Sequence, residues 1–137
     1  MTIAEDIITV RGGWTDCGIS SHQAPSLVQL ADEFSLATDV SIYREIDAAE
    51  ARRLTERLLH KDLVYGAQKV KPARAAELAD GFLAQFGTEG TRYYTNTWFN
   101  DSGSIESWNS ATDSTFDAGI LVIGPLCSGC LWIEEED

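Results

Sequence analysis

The chain has 137 residues, 44% of them hydrophobic, and 22 Asp and Glu against 10 Lys and Arg give it a formal net charge of −12. A chain of this length forms one domain, expected to span residues 1–137, and buries enough surface to fold without a disulfide or a metal. The charge repels nucleic acid and anionic membrane, and no stretch approaches the roughly 20 apolar residues of a membrane span.

The opening "MTIAEDIITVRGG" has acids where a signal peptide has bases, so a cytoplasmic location is expected. Within it "DIITV" reads as a short strand. "RGGWTDCGISSHQAP" is rich in Gly and Ser and reads as an irregular loop, and "SLVQLADEF" fits a short helix or a strand equally well. "FSLATDVSIYREI" alternates apolar and polar positions from Phe34 to Ile46, which predicts one long, bent strand.

Asp47 with Glu50 three residues on is a capping box opening a helix over about 48–60, with Leu54, Leu58 and Leu59 as its apolar stripe. Pro72 opens a second helix over about 72–86, carried by Ala75, Leu78, Ala79, Phe82 and Phe86 and stopped by Gly87. Strands follow: "TRYYTNTWF", a turn at "NDSG", "SIESW", a polar stretch, "ILVIG", a turn at "PLCSG" centred on Gly129, and "CLWIEE". Segregated helices and strands predict an α+β domain, a mainly antiparallel sheet of five to seven strands with the two helices packed on one face.

Few residues carry a chemical signature. Cys127 and Cys130 form a CxxC, but it lies between strand-like segments and not at a helix start, where a redox pair would sit. Only Cys17 and His22 complete a four-ligand zinc set with it, and no second CxxC exists. Cys17 or Ser20 beside His22 resembles a nucleophile and base by proximity alone, with no nucleophile elbow, and His60 sits at a helix end where it can serve the last carbonyls. Glu106, Asp113 and Asp117 can hold a divalent metal or act as acid and base, which makes a small metal-assisted enzyme the alternative reading. No phosphate-binding glycine pattern or EF-hand is present, so no cofactor is expected.

The charge is unevenly spread. Residues 1–43 have one base and six acids, residues 44–92 are near balance, and residues 93–137 have eight acids and no Lys or Arg. Such a surface suits a basic protein partner. Trp14 and Trp108 lie in polar, turn-rich stretches and suit interface anchors, whereas Trp98 and Trp132 lie in strand patterns that fill a core. The expected partner-binding set is Trp14, Asp16, Trp108, Asp113, Asp117, Glu134, Glu135, Glu136 and Asp137. Small acidic domains without a catalytic signature are similar in character to inhibitors and immunity proteins that neutralise bacterial toxins. The expected function is therefore stoichiometric binding of an electropositive partner.

Overall fold

The computed structural model describes residues 2–136. "DIITV" is not a strand. It lies in helix α1 (Ile3–Arg11), because Thr2 and Glu5 form a reciprocal capping box just upstream of it. Ile7 is buried while Ile8 and Val10 stay exposed, a one-sided burial that a five-residue apolar run cannot reveal. Gly12 and Gly13, both at positive φ, then turn the chain into β1 (Trp14–Ser20), a regular strand where a loop was expected.

"SLVQLADEF" resolves as α2 (Leu27–Glu33), capped by the Ser26 hydroxyl on the Gln29 N–H at 3.2 Å. The long strand expected from Phe34 to Ile46 is mostly absent. Ser35 at φ 60° ends the helix, and Asp39 accepts from the Ser41 N–H at 3.0 Å to start a 3₁₀ turn at Val40–Ile42. Only Arg44–Ile46 enter a ladder, as β2. Leu36 and Tyr43 are buried by side-chain packing instead, Tyr43 meeting Trp132 edge-on with centroids 6.2 Å apart.

The two expected helices are present as α3 (Ala48–His60) and α4 (Pro72–Ala84). Asp47 caps α3 at 2.8 Å, but Glu50 does not reach back to close a box; its carboxylate takes the Arg44 guanidinium at 2.7 Å. "TRYYTNTWF" splits at buried Asn96 into β3 (Arg92–Thr95) and β4 (Thr97–Phe99), which belong to different sheets. Then come β5 (Ile105–Trp108), β6 (Phe116–Ile123) and β7 (Ser128–Glu135). Gly129 lies inside β7 rather than at the turn, where a Cβ would stand 2.5 Å from Phe86 Cζ.

The architecture is α+β. An antiparallel sheet has strand order β1-β7-β6-β3-β2, and β4 and β5 pair separately. Strand alternation sorts the side chains into two layers. Cys17, Ile46, Tyr93, Ala118, Ile120, Val122, Leu131 and Ile133 meet α1, α3 and α4 through Ile7, Leu54, Leu58, Leu78 and Phe82. Leu121, Cys130 and Trp132 face the other way and meet α2 and its following loop through Leu30, Ala31, Leu36 and Tyr43. The helices therefore cover both faces, three on one side and the short α2 on the other, where two on a single face were expected. No helix among the described residues is long and apolar enough to cross a membrane.

Candidate functional site

α2 is seven residues long, and on its side of the sheet Trp14 and Asp16 of β1 are exposed. In the β1–β7–β6 register, Trp14 stands opposite Glu134, and Glu134 opposite Asp117; one step along, Asp16 stands opposite Trp132, and Trp132 opposite Gly119. These side chains share one face because alternate residues of a strand point the same way. Gly119 offers no side chain, so the Trp132 indole lies across β6 in its place.

Trp132 Nε1 reaches Asp117 Oδ1 at 3.2 Å. Asp117 is 1% exposed and also accepts from the Asn96 amide at 2.8 Å, the Ala111 N–H at 3.1 Å, the Thr112 N–H at 3.2 Å and the Thr112 hydroxyl at 3.0 Å. Burial pushes its carboxyl above the ordinary value, and the bonds from Ala111, Thr112 and Trp132 pull it back. One buried carboxylate thus fixes both the indole and the loop over residues 110–112. That loop is tied to the stretch after α2 by the Ala37 N–H on the Ala111 carbonyl at 2.8 Å.

The result is a cleft of about 790 Å³ between β1, the end of β7, the turn after α2 and the loop at 110–113. Trp132 lies in its lining, and among the described residues Asp16, Glu33, Asp113 and Glu134 supply four carboxylates and no Lys, Arg or His lines it. Glu134 accepts from the Ser114 hydroxyl at 2.8 Å, while Asp16, Glu33 and Asp113 have no ion-pair partner among the described residues. Among the described residues every base that contacts a carboxylate does so elsewhere: Arg44 with Glu50, Arg52 with Glu56 and Asp80, Arg74 with Glu77, Arg92 with Glu45, and Arg11 with Glu135.

Three of the sequence-derived residues therefore converge on this cleft: Asp16, Asp113 and Glu134. Trp14 adjoins it across Glu134, in a second hollow that also contains Tyr65, Glu135 and Glu136. Asp117 serves the cleft from beneath and offers no surface. Glu135 points to the opposite face of β7, where it accepts from the Leu63 N–H at 2.9 Å and the Arg11 guanidinium at 3.3 Å. Glu136 accepts from the Thr115 N–H at 3.2 Å. Trp108 lies apart from the cleft, half-buried and stacked on Phe116 at 5.1 Å. Asp137 falls outside the described residues. Trp132 fills the core as its strand pattern implied, but Trp98 is only half-buried, with the Arg44 guanidinium 5.0 Å from its ring centroid.

Sequence reasoning missed Glu33. A local signal was present: Asp32 and Glu33 close a helix at its negative end, where acids are disfavoured. A residue placed against its local preference is a pointer to function.

The other candidates do not assemble into a site. Cys17 and Cys130 face opposite sides of the sheet, and burial pushes the Cys17 thiol up to about 12 and the Cys130 thiol well above its ordinary value. Among the described residues no group of three or more His, Cys, Asp or Glu is arranged to hold a metal ion. Glu106 is exposed on β5, Asp113 is at the cleft rim and Asp117 is buried, so the three carboxylates of that segment do not gather. The Ser20 hydroxyl does meet His22 Nδ1 at 2.9 Å, on an exposed corner, with no carboxylate hydrogen-bonded to the ring among the described residues. His60 Nδ1 donates to the Val70 carbonyl at 2.7 Å and ties down the loop after α3.

No protein-family model matches the chain, and no curated protein or solved structure matches it. The reading of function therefore rests on the cleft itself.

Proposed function

We propose that the protein is a stoichiometric binder of an electropositive protein, an inhibitor or immunity-type protein that neutralises a basic partner such as a bacterial toxin in the cytoplasm. One observation carries this reading: among the described residues, four carboxylates line a single concave surface that no base shares. A concave patch of one sign focuses the field and draws an oppositely charged surface into register. Phe34, partly exposed in its lining, gives an incoming side chain something to pack against once water leaves. A nucleic acid or an anionic membrane meets repulsion at the same place.

The test is co-expression with a growth-inhibiting basic protein encoded beside this chain. The reading expects growth to be restored and a 1:1 complex to form, with association slowing steeply as salt rises. It also expects the triple variant Asp16→Asn, Glu33→Gln, Asp113→Asn to lose protection while remaining folded. Full protection by the triple variant would overturn it.

A further inference from the structure

β1 and β2 are the two ends of the five-stranded order, and β1 is the longer, seven residues against three. The ladder decides which of its backbone groups face outward. Just beyond the β6–β7 pairing the Gly124 N–H donates to the Cys127 carbonyl at 2.9 Å, so even-numbered residues of β6 bond to odd-numbered residues of β7. Gly119 agrees, since its N–H and carbonyl turn the other way, to Asn96 Oδ1 at 3.2 Å and the Thr95 hydroxyl at 2.6 Å. The even-numbered residues of β7 therefore bond to β1, where the register gives them Trp14, Asp16, Gly18 and Ser20. The N–H and carbonyl groups of Thr15, Cys17 and Ile19 are left directed away from the sheet. They take no backbone partner among the described residues. The Cys17 side chain is buried in the core layer, and Thr15 and Ile19 keep partial exposure on either side of it. An edge of this kind is a template for one more strand.

Building on the function proposed above, we infer that the basic partner docks by adding an antiparallel strand to the outer edge of β1, with basic side chains at alternate positions on the cleft side. Antiparallel addition continues the pairing of every ladder in this sheet. Main-chain bonds supply the affinity of such a strand, and its alternate side chains supply the specificity. Charge selects the occupant. β1 carries one charged residue, Asp16, which is exposed, lines the cleft and has no ion-pair partner among the described residues. The Asp16 N–H and carbonyl turn to β7, so the residue opposite it on an added strand forms the closer, non-hydrogen-bonded class of pair, with Cα atoms about 4.5 Å apart. A lysine or arginine there is an opposite-charge cross-strand pair. A second copy of this chain is disfavoured at the same edge. Self-pairing centred on Cys17 sets the two Asp16 residues diagonally across from each other, between molecules of net charge −12.

The experiment uses a fluorescein-labelled peptide, Lys-Thr-Lys-Thr-Lys-Thr-Lys, which matches β1 residue for residue, and reads anisotropy at low salt. Two further peptides have the same side chains and charge, one N-methylated at its threonines and the other at its three internal lysines. In the inferred pairing the threonines face Thr15, Cys17 and Ile19 and bond to them, whereas the lysine N–H groups point away from β1. Expected is binding of the parent peptide, weakening by about tenfold when the threonines are methylated, and near-retention when the lysines are. Asp16→Lys should weaken the parent peptide by about fivefold, and a melting curve confirms that this exposed residue leaves the fold intact. If the two methylated peptides bind alike, no strand is added and the inference falls, while weakening by the Asp16/Glu33/Asp113 variant would leave the cleft standing. Loss confined to the lysine-methylated peptide would mean parallel addition and overturn the pairing stated here. Unchanged binding to Asp16→Lys would put the strand at another edge and also overturn it. If the parent peptide does not bind, or if neither methylation nor the triple variant changes binding, the cleft reading falls with the inference.

Discussion

The indole N–H of Trp132 donates to the carboxylate of Asp117 across 3.2 Å, beneath the surface of the acidic cleft. This places Asp117 in a role that its neighbourhood in sequence does not reveal. It belongs to the acidic carboxyl-terminal stretch yet faces inward, where it organises the surface on which other acids stand. Its donors come from the loop before β6, from Asn96 at the corner between the two sheets, and from β7. Cleft shape and fold stability are therefore coupled through one side chain.

Asp117→Asn tests that coupling. An amide keeps the shape but offers one acceptor oxygen where two now receive donors from four residues, and its own N–H groups confront donors. Leaving buried donors unmatched costs about 1–3 kcal/mol each, so a loss of about 3 kcal/mol is expected in urea unfolding. Binding to a basic peptide should also weaken, because the loop over 110–112 loses its anchor.

Gly119→Ala attacks the same assembly from the other side. An added methyl would collide with the Trp132 ring and with the Leu131 carbonyl, and the latter is backbone that cannot swing away. Overpacking of this kind costs about 1–3 kcal/mol, occasionally more. Because the ring is forced from its position, near-ultraviolet circular dichroism should change along with the melting temperature. A variant with parental stability and spectrum would show that the sheet opens here without strain.

The sequence made the two long helices and the strand-rich second half legible for physical reasons. Asp47, the Leu54–Leu58–Leu59 stripe and Pro72 are local signals that do not depend on distant contacts. The segment from Phe34 to Ile46 misled because alternation is equally the pattern of an extended loop whose apolar residues dip toward a neighbour, as Leu36 and Tyr43 do toward Trp132. Helix α1 was misread although Thr2 and Glu5 carried its capping box in plain view. At the site, Asp16, Asp113 and Glu134 could be listed from charge alone. Their convergence could not, since it depends on β1 pairing with β7 across more than 100 residues of chain. The separation of Asp117 from those surface acids depends on the same long-range pairing.

The cysteines offer a sharper test of the same point. Cys17 and Cys130 are buried on opposite faces, and burial holds the Cys17 thiol up to about 12, so both stay protonated at pH 8. Cys127 is partly exposed in the turn before β7. Ellman's reagent should therefore titrate one thiol rapidly in the native protein and the remaining two only on unfolding. Fast reaction of two thiols, or a native disulfide between Cys127 and Cys130, would contradict this arrangement.

Arg11 and Glu135 join the end of α1 to the end of β7, and through the Leu58 carbonyl and the Leu63 N–H they also hold the carboxyl end of α3. Their side chains are 1% and 17% exposed. Removing one partner of such a pair leaves the other buried without compensation, a loss of about 3–5 kcal/mol in fully buried cases. Glu135→Gln should fall toward the lower end of that range, since Glu135 keeps some contact with water. The exposed pair Arg92–Glu45 is the internal control: Glu45→Gln should change stability by less than about 1 kcal/mol. Equal effects at the two sites in urea unfolding would refute the distinction.

The cleft carboxylates should behave oppositely to all of these. Asp16, Glu33 and Asp113 gain nothing from the fold, since none has a basic partner among the described residues, and they stand within one hollow on a chain of net charge −12. Like charges held together oppose the compact state. The triple variant Asp16→Asn, Glu33→Gln, Asp113→Asn should therefore match the parent's stability or exceed it by about 0.5 kcal/mol, and moderate salt should stabilise the parent more than the variant. The same variant should lose affinity for a basic protein. Stability that rises as binding falls is the signature of residues kept for a partner rather than for the fold. A clear loss of stability in the variant would instead show that these acids hold the fold together, and the cleft would lose its standing as a docking surface.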